Sequence, residues 1–164
     1  MIYVKRFPDG VKDSECGRTL LDTALKIEYG KQLSDFEIIY LPGGKPVFKN
    51  ADIHFNISHS GTAAAVVLSS SPVGIDIQRI HPYNPALANR ICTAYEKTAL
   101  SSAADKAYML YSLWSMRESY VKYTGEGLRG SIRDIDYTGK SYSQRVLSDF
   151  VLSVSPSPHE IAFI

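Results

Sequence analysis

A run of six apolar residues at 63–68 constrains the fold of this chain more than any other feature. Continuous apolarity over the length of a strand is typical of a strand that is covered on both faces. The runs on either side, at 53–58 and 73–78, alternate apolar and polar residues, which is the period of half-buried strands. Glycine, serine and proline separate the three runs. The segment therefore predicts three successive strands, of which the middle one is fully buried.

Helical periodicity flanks these strands on both sides. The apolar spacing predicts a helix at 16–29 that Gly30 can end, and a stronger one at 105–124 that Gly125 can end. Between them, Pro85 can open a further helix. The apolar positions of that helix include Leu87, Ile91 and Leu100.

The remaining segments indicate turns and short strands. Residues 41–46 are rich in proline and glycine and predict a turn. Short strands are expected at 132–137, 146–154 and 159–164. Strands and helices are grouped along the chain and do not strictly alternate, which favours an α+β fold over a parallel α/β fold.

Length and charge exclude several classes of protein. With 164 residues the chain forms one domain or two half-domains, and its 18 Lys+Arg against 17 Asp+Glu leave a net charge of +1. Nucleic-acid binders usually carry a basic surplus. The first ten residues contain no signal-like apolar segment, the longest apolar run is too short to span a membrane, and the two cysteines match no disulfide or metal pattern. We therefore expect a cytoplasmic globular protein that binds neither nucleic acid nor membranes.

The strand predicted at 73–78 carries the first candidate site. Because successive side chains of a strand alternate faces, Asp76 and Gln78 share one face, and Ile75 and Ile77 share the other. A carboxylate and an amide oxygen are suitable ligands for a hard cation such as Mg²⁺, which adds water and phosphate oxygens to one or two carboxylates. The other interpretation is a solvated strand face with Asp76 at an edge. The pattern alone leaves both open.

The helix predicted at 105–124 carries the second candidate site. Glu118 and Lys122 are four residues apart, so both lie on one helical face. Such a pair is usually a surface ion pair that contributes about 0.3–0.5 kcal/mol. A chemical role requires the pair to face an anion, with Glu118 binding a metal or accepting a proton and Lys122 binding a phosphate.

A third candidate site lies at the end of the strand at 53–58. His59 stands where the alternation gives way to a turn, beside Ser58 and Ser60. A histidine in such a place is usually structural. Together with the neighbouring hydroxyls it can also donate hydrogen bonds to a phosphate.

Ordered motifs connect these candidates along the chain, at 43–46, 55–60, 74–77, and 114–122 with 125–128. A weaker motif joins Arg90, Ile91 and Cys92 to Glu96 and Leu100. In this order and spacing the motifs resemble the 4'-phosphopantetheinyl transferase superfamily, specifically its single-chain pseudo-dimeric type that activates carrier proteins of peptide, polyketide and fatty-acid synthesis. The resemblance covers residues 16 to 137.

The resemblance implies both an activity and an architecture. The activity is transfer of the 4'-phosphopantetheine arm of coenzyme A to a serine of an apo acyl or peptidyl carrier protein, with Mg²⁺ (or Mn²⁺), releasing adenosine 3',5'-bisphosphate. The architecture is α+β, with two similar halves at 1–77 and 78–164. Each half is expected to be a small antiparallel sheet packed on a long helix, with coenzyme A in the cleft between them. A single chain of this kind is expected to act as a monomer.

The resemblance also assigns roles to individual residues. Positions that match the catalytic residues of the family are Glu118, Lys122 and Glu96. Positions that match its metal ligands are Asp76, Gln78 and Glu118. Positions that match its contacts to the phosphates of coenzyme A are Lys45, Ser58, His59, Lys122 and, more loosely, Arg18.

Two departures from the family pattern keep an alternative open. Gln78 supplies an uncharged oxygen where the family usually has an acid, so metal binding is expected to be weaker or mediated by water. The helix that contains Arg18 also begins closer to the N-terminus than is usual in relatives of this type. The alternative is therefore a relative that binds coenzyme A or a carrier protein without catalysis. An unrelated metal-dependent phosphohydrolase is disfavoured, because such sites generally need several Asp and His ligands.

Overall fold

The computed structural model describes residues 1–127, 131–135, 140–156 and 161–163. The strands in this part of the chain are β1 (Ile2–Arg6), β2 (Ile38–Tyr40), β3 (Pro46–Phe48), β4 (His54–Ser60), β5 (Ala63–Ser69), β6 (Gly74–Arg79), β7 (Ser143–Leu147), β8 (Phe150–Ser155) and β9 (Ile161–Phe163). The α-helices are α1 (Asp13–Tyr29), α2 (Pro85–Ile91), α3 (Ala94–Ser102) and α4 (Lys106–Thr124). Short 3₁₀ helices occur at Leu33–Asp35 and Ile132–Asp134.

Two sheets pack face to face between the two long helices. The first sheet has the strand order β4-β5-β1-β9 and is antiparallel except for the parallel pair of β1 and β9. The second sheet, β6-β8-β7, is antiparallel. Helix α1 covers the outer face of the first sheet and α4 that of the second, while β2 and β3 form a separate ribbon. The structure therefore confirms the expected α+β class, with small sheets packed on long helices.

Strand β5 is buried on both faces, as its apolar run predicts. The core between the two sheets contains its odd-numbered residues, Ala63, Ala65 and Val67. The core between the first sheet and α1 contains its even-numbered residues, Ala64, Val66 and Leu68. None of these six side chains is more than 3% exposed. Strand β5 therefore contributes to both cores, the one between the two sheets and the one beneath α1.

Local capping sets the ends of the helices. Gly30 and Gly125 adopt left-handed φ angles of 64° and 70° and end α1 and α4 as predicted. The one helix expected after Pro85 is instead two, because Thr93 begins a new helix. The Thr93 side chain accepts a hydrogen bond from the backbone of Glu96, whose carboxylate accepts one from the backbone of Thr93. Within the described residues, no helix combines the length and the apolarity needed to cross a membrane.

The last third of the chain differs from expectation. Of the strand expected at 132–137, Ile132–Asp134 form a 3₁₀ turn, and residues 136 and 137 lie outside the described residues. The strand expected at 146–154 is a hairpin of β7 and β8, since Ser148 takes a φ of 59° at its turn. Such a turn normally favours glycine, which is why no sequence signal marks it. Within the strand expected at 159–164, β9 covers 161–163.

Strand β6, which carries Asp76, belongs to the second sheet. The division expected between residues 77 and 78 falls inside this strand, which pairs with β8 from Gly74 opposite Ser155 to Arg79 opposite Phe150. Conversely, β9 returns from the C-terminal segment to pair with β1. Each sheet therefore combines strands from the N-terminal and the C-terminal parts of the chain.

Candidate active site

Strands β4 and β6 run side by side although they belong to different sheets. Side-chain oxygens of alternate β4 residues accept hydrogen bonds from the backbone N–H groups of β6. The bonds run from Ile75 to Asn56 (2.9 Å), from Ile77 to Ser58 (3.1 Å) and from Arg79 to Ser60 (3.0 Å). Each joins residues 19 positions apart. This ladder fixes the register between the two sheets at the position of Asp76.

Helix α4 approaches β6 closely because Gly74 has no side chain. A Cβ atom on Gly74 would lie 2.1 Å from the carbonyl oxygen of Ser119 and 2.2 Å from the backbone nitrogen of Tyr123. Both neighbours are backbone atoms of α4, so neither can move aside alone. The close contact brings the last turns of the helix, with Lys122, against the polar face of β6.

Asp76 lies at the centre of the site and is 1% exposed. Its Oδ1 accepts hydrogen bonds from Lys122 Nζ at 2.7 Å and from Ser58 Oγ at 2.9 Å. Its Oδ2 is buried and has no hydrogen-bond donor among the residues that the structure describes. A buried carboxylate oxygen without a partner is costly, so this atom is suited to a ligand that supplies positive charge.

Glu118 belongs to the same electrostatic site. Burial raises the pKa of its carboxyl group and the charge of Asp76 raises it further, while Lys122 and Arg90 act in the opposite direction. The net pKa is above the ordinary value for glutamate. Two mutually repelling carboxylates are therefore held near each other, one fully and one partly buried.

The residues present fit a hard cation. Mg²⁺ needs only one or two carboxylates and takes water and phosphate oxygens as its other ligands. Asp76 and Glu118 supply two carboxylates, and the free Oδ2 supplies a buried ligand atom. No group of three or more His, Cys, Asp or Glu suited to a metal occurs in the described part of the chain. Gln78 is half-buried and lies two residues after Asp76, and its role as a ligand stays a prediction.

Two adjacent pockets flank β4 and share Pro46 and Ile57 as lining residues. The pocket beside α1, here the α1 pocket, has a volume of about 310 Å³ and is lined by Arg18 and His59. The pocket beside α4, here the α4 pocket, has a volume of about 230 Å³ and is lined by Lys45 and Lys122. A larger cavity of about 420 Å³ lies elsewhere, near Phe150, and none of the predicted site residues lines it. The structure thus brings the predicted phosphate contacts together around β4.

Lys45 fastens the turn between β2 and β3 to the second sheet and its helix. Its Nζ donates hydrogen bonds to the carbonyl oxygens of Val73 (2.8 Å) and Tyr123 (3.1 Å). In the same turn, a Cβ atom on Gly43 would lie 2.2 Å from the carbonyl oxygen of Gly125, so the two backbones are in direct contact. Burial lowers the pKa of Lys45 to about 8. Two of its three N–H groups bind the protein, and the third has no partner among the described residues.

Replacing Lys45 by methionine should destabilise the protein more at high pH than at neutral pH. The folded state releases the proton of this lysine near pH 8, whereas the unfolded chain keeps it up to about pH 10.5. Between these values the unfolded state binds more protons, so this group adds stability as the pH rises. Denaturant unfolding of the wild type and Lys45→Met at about pH 7 and pH 9.5 measures the difference.

Lys49→Met is the matched control for this experiment. Lys49 lies just after the same ribbon, and its Nζ is 2.9 Å from Glu37 on an exposed surface. We expect its effect on the free energy of unfolding to be small and equal at both pH values. An equal effect of Lys45→Met at both pH values would show that burial does not lower the pKa of Lys45.

Glu96 forms a buried ion pair with Arg117 of α4. Arg117 Nη2 donates to both carboxylate oxygens, at 2.7 and 2.9 Å, and the backbone N–H of Thr93 donates to Oε2 at 2.7 Å. Burial acts to raise the pKa of Glu96, but the hydrogen bonds from Thr93 and Arg117 lower it overall. These contacts join α3 to α4 one residue from Glu118. The catalytic role of Glu96 stays a prediction.

Three further polar residues contact this region; they lie within the motifs of the sequence, which assign them no role. Asn56 accepts a hydrogen bond from Ile75, which is 19 positions away, and Arg117 pairs with Glu96, which is 21 positions away. Periodicity within one element therefore reveals neither contact. The guanidinium carbon of Arg90 lies 5.0 Å from the ring centroid of Trp114. Their places within these motifs are the signal that the sequence offers.

The chain is similar to proteins of one family. The model of the 4'-phosphopantetheinyl transferase superfamily matches residues 72–154. The 4'-phosphopantetheinyl transferase Sfp of Bacillus subtilis (strain 168) is 31% identical over 152 residues, which are 90% of this chain and 65% of that protein. The 4'-phosphopantetheinyl transferase AcpT of Salmonella typhimurium is 31% identical over 171 residues, covering 94% of this chain and 83% of that protein. The chain thus spans less than two thirds of the length of Sfp and most of the length of AcpT.

Solved structures give a more distant likeness. The crystal structure of holo-[acyl-carrier-protein] synthase (AcpS) from Neisseria meningitidis matches with a TM-score of 0.44 and 24% identity, over 52% of this chain and 98% of that chain. The family match spans half of the chain, and the likeness to AcpT extends over most of both proteins. On these two findings the chain belongs to the 4'-phosphopantetheinyl transferase superfamily, as its ordered motifs indicate.

Proposed function

We propose that this protein transfers the 4'-phosphopantetheine arm of coenzyme A to a serine hydroxyl of an apo carrier protein. The observation that carries the proposal is the buried carboxylate of Asp76, with Oδ2 free and Lys122 Nζ on Oδ1. A pyrophosphate substrate needs positive charge next to its oxygens, and this arrangement provides a lysine and a place for a cation. The similarity to Sfp and AcpT, both named 4'-phosphopantetheinyl transferases, supports the same class of reaction.

The proposed reaction exchanges the phosphoanhydride bond of coenzyme A for a phosphoester bond to the serine. The serine oxygen attacks the phosphorus that bears the pantetheine arm, the pyrophosphate bond breaks, and adenosine 3',5'-bisphosphate leaves. The proton of the hydroxyl needs a base, and Glu118 is the proposed acceptor, directly or through a water, because it is a carboxylate of the same site as Asp76 and Lys122. Lys122, which lines the α4 pocket, is proposed to bind the pyrophosphate oxygens.

Asp76 and Glu118 are proposed to hold Mg²⁺ (or Mn²⁺), with Gln78 as a further ligand or a ligand through water. When bound, the cation neutralises charge that develops on the phosphate oxygens. The protein's own part is to keep the two carboxylates together against their repulsion, which the partial burial of α4 against β6 achieves. Because one chain supplies both residues, we propose a monomer as the functional unit.

The nucleotide is proposed to lie along β4, with its phosphates in reach of both pockets. Arg18 and His59 in the α1 pocket are the proposed contacts of the 3'-phosphate of coenzyme A. Lys45 is proposed to contribute its remaining N–H group from the α4 pocket. This arrangement leaves Glu118 and Lys122 next to the bond that breaks.

Intact-mass measurement of carrier proteins tests the proposal. Purified protein, coenzyme A and Mg²⁺ are incubated with apo acyl and peptidyl carrier proteins, and the expected result is the mass gain of one phosphopantetheine arm. Omission of coenzyme A and chelation of Mg²⁺ are the controls. Coenzyme A binding that is indifferent to Mg²⁺, with no mass gain on any carrier, would contradict the proposal. That result would favour the alternative, a relative that binds coenzyme A or a carrier protein without catalysis, with the uncharged Gln78 in place of an acidic ligand.

A further inference from the structure

We infer that Ser58 is a positioning residue, which holds Asp76 and Lys122 in place and does not bind a phosphate of the substrate. The inference rests on the proposed function, since it concerns the same site. It differs from the role that the family resemblance assigns to this serine. The reason lies in the hydrogen bonds that the hydroxyl already makes.

The hydroxyl of Ser58 has no bonding capacity left. A serine hydroxyl donates one hydrogen bond and accepts two. The Ser58 hydroxyl donates to Asp76 Oδ1 at 2.9 Å and accepts from Ile77 N at 3.1 Å and from Lys122 Nζ at 2.9 Å. The residue is 3% exposed. A phosphate could bind this hydroxyl only by displacing one of three protein partners.

These bonds determine how Asp76 is oriented. Ser58 and Lys122 both bind Oδ1, so the carboxylate is turned with Oδ2 away from them. Without the serine hydroxyl, only Lys122 would bind the carboxylate, and one ammonium group can bind either oxygen. Ser58 therefore selects the orientation in which a buried oxygen is available to a cation.

The chain offers matched controls for this role. Asn56 and Ser60 accept the same kind of hydrogen bond from β6 as Ser58 does, from Ile75 and Arg79. In the described part of the chain, the hydrogen bonds of these two side chains do not involve Asp76 or Lys122. Loss of either therefore removes one rung of the ladder without releasing the carboxylate.

The test compares Ser58→Ala with Ser60→Ala. The concentration of Mg²⁺ that raises the melting temperature half-maximally is measured on each protein without coenzyme A. Residues that orient metal ligands typically change metal affinity or activity 10- to 100-fold. We expect Ser58→Ala to need about 10-fold more Mg²⁺. Ser60→Ala is expected to match the wild type.

Transfer kinetics separate the two possible roles of the serine. For Ser58→Ala we expect kcat to fall at least about 10-fold, with the KM for coenzyme A unchanged. A raised KM for coenzyme A with an unchanged Mg²⁺ requirement would make Ser58 a phosphate contact and overturn the inference. Equal changes in Ser58→Ala and Ser60→Ala would also overturn it, because they would show a general effect of the ladder.

Failure of the proposed function and failure of this inference give different results. A wild type that never modifies a carrier but shows the Mg²⁺-dependent shift, weakened in Ser58→Ala, refutes the transfer and supports the positioning role. A wild type with no Mg²⁺-dependent shift overturns the inference, since no cation site would exist for Ser58 to set. If Ser58→Ala does not fold, Ser58→Cys fills the same space with a weaker hydrogen-bonding group and carries the same expectation.

Discussion

Asp76→Asn should reduce carrier modification by about 100-fold or more while leaving the protein folded. The amide keeps the volume of the side chain and one oxygen that accepts from Ser58 and Lys122. It removes the negative charge and puts an NH₂ group or an uncharged oxygen at the position of the free Oδ2. Both changes weaken a cation site, because a hard cation prefers charged oxygen ligands. The measurement is the initial rate of mass gain on an apo carrier at saturating coenzyme A.

Two further measurements decide whether the loss arises at the site. Thermal unfolding without metal should give a melting temperature close to that of the wild type, because the substitution also removes a buried charge with an unpartnered oxygen. Asp149→Asn is the matched control, since Asp149 pairs with Arg6 and Arg79 on an exposed surface. It should keep full activity. A variant Asp76→Asn with more than a tenth of wild-type activity and an unchanged Mg²⁺ requirement would remove Asp76 from the cation site.

Periodicity predicts the elements that carry the site. The alternation in β4 and β6 indicates which side chains share a face, and the helical spacing in α4 puts Glu118 and Lys122 on one side. These rules hold because each strand or helix has a buried face whose apolar residues recur with the period of that element. They correctly place Asp76 opposite the apolar residues Ile75 and Ile77, which lie in the core between the sheets.

The connections between elements could not be predicted in this way. Ser58 binds partners 18, 19 and 64 positions away, and nothing in its own strand indicates which hydroxyl faces β6. The same is true of Lys45, which is basic in a turn and therefore resembles a phosphate contact, yet its Nζ binds two carbonyl oxygens. A polar side chain can bind either a ligand or another part of the protein, and only the three-dimensional structure shows which groups lie within reach.

The site depends on three elements that contact one another. Strand β4 supplies Ser58, β6 supplies Asp76, and α4 supplies Lys122, and the three side chains are joined by hydrogen bonds of 2.7 to 2.9 Å. Since the strands belong to different sheets, their relative position depends on the ladder between them and on the close contact at Gly74. Stability of the contact between sheets is therefore a condition for the proposed activity.

Arg117→Met should lower the free energy of unfolding by about 3 kcal/mol. Arg117 is 2% exposed and Glu96 is 18% exposed, so removal of the arginine leaves a largely buried carboxylate without its cation. The backbone N–H of Thr93 still binds that carboxylate, which places the effect at the lower end of the range for broken buried pairs. Denaturant unfolding at about pH 7 measures the loss. Lys26→Met, which breaks the exposed pair with Asp22, is the control and should cost less than about 1 kcal/mol.

The effect of Arg117→Met should also depend on pH. The pKa of Glu96 is lowered from its ordinary value of 4.5, so its stabilising contribution is complete above that value and is lost as the pH falls through the lower folded pKa. Without Arg117 the pKa is lowered less, and the variant has less of this contribution to lose. The difference between wild type and variant should therefore shrink as the pH falls below about 4.5, as measured by denaturant unfolding. A difference that stays constant over this range would mean that Arg117 stabilises the protein by packing alone, and that its charge does not hold α3 against α4.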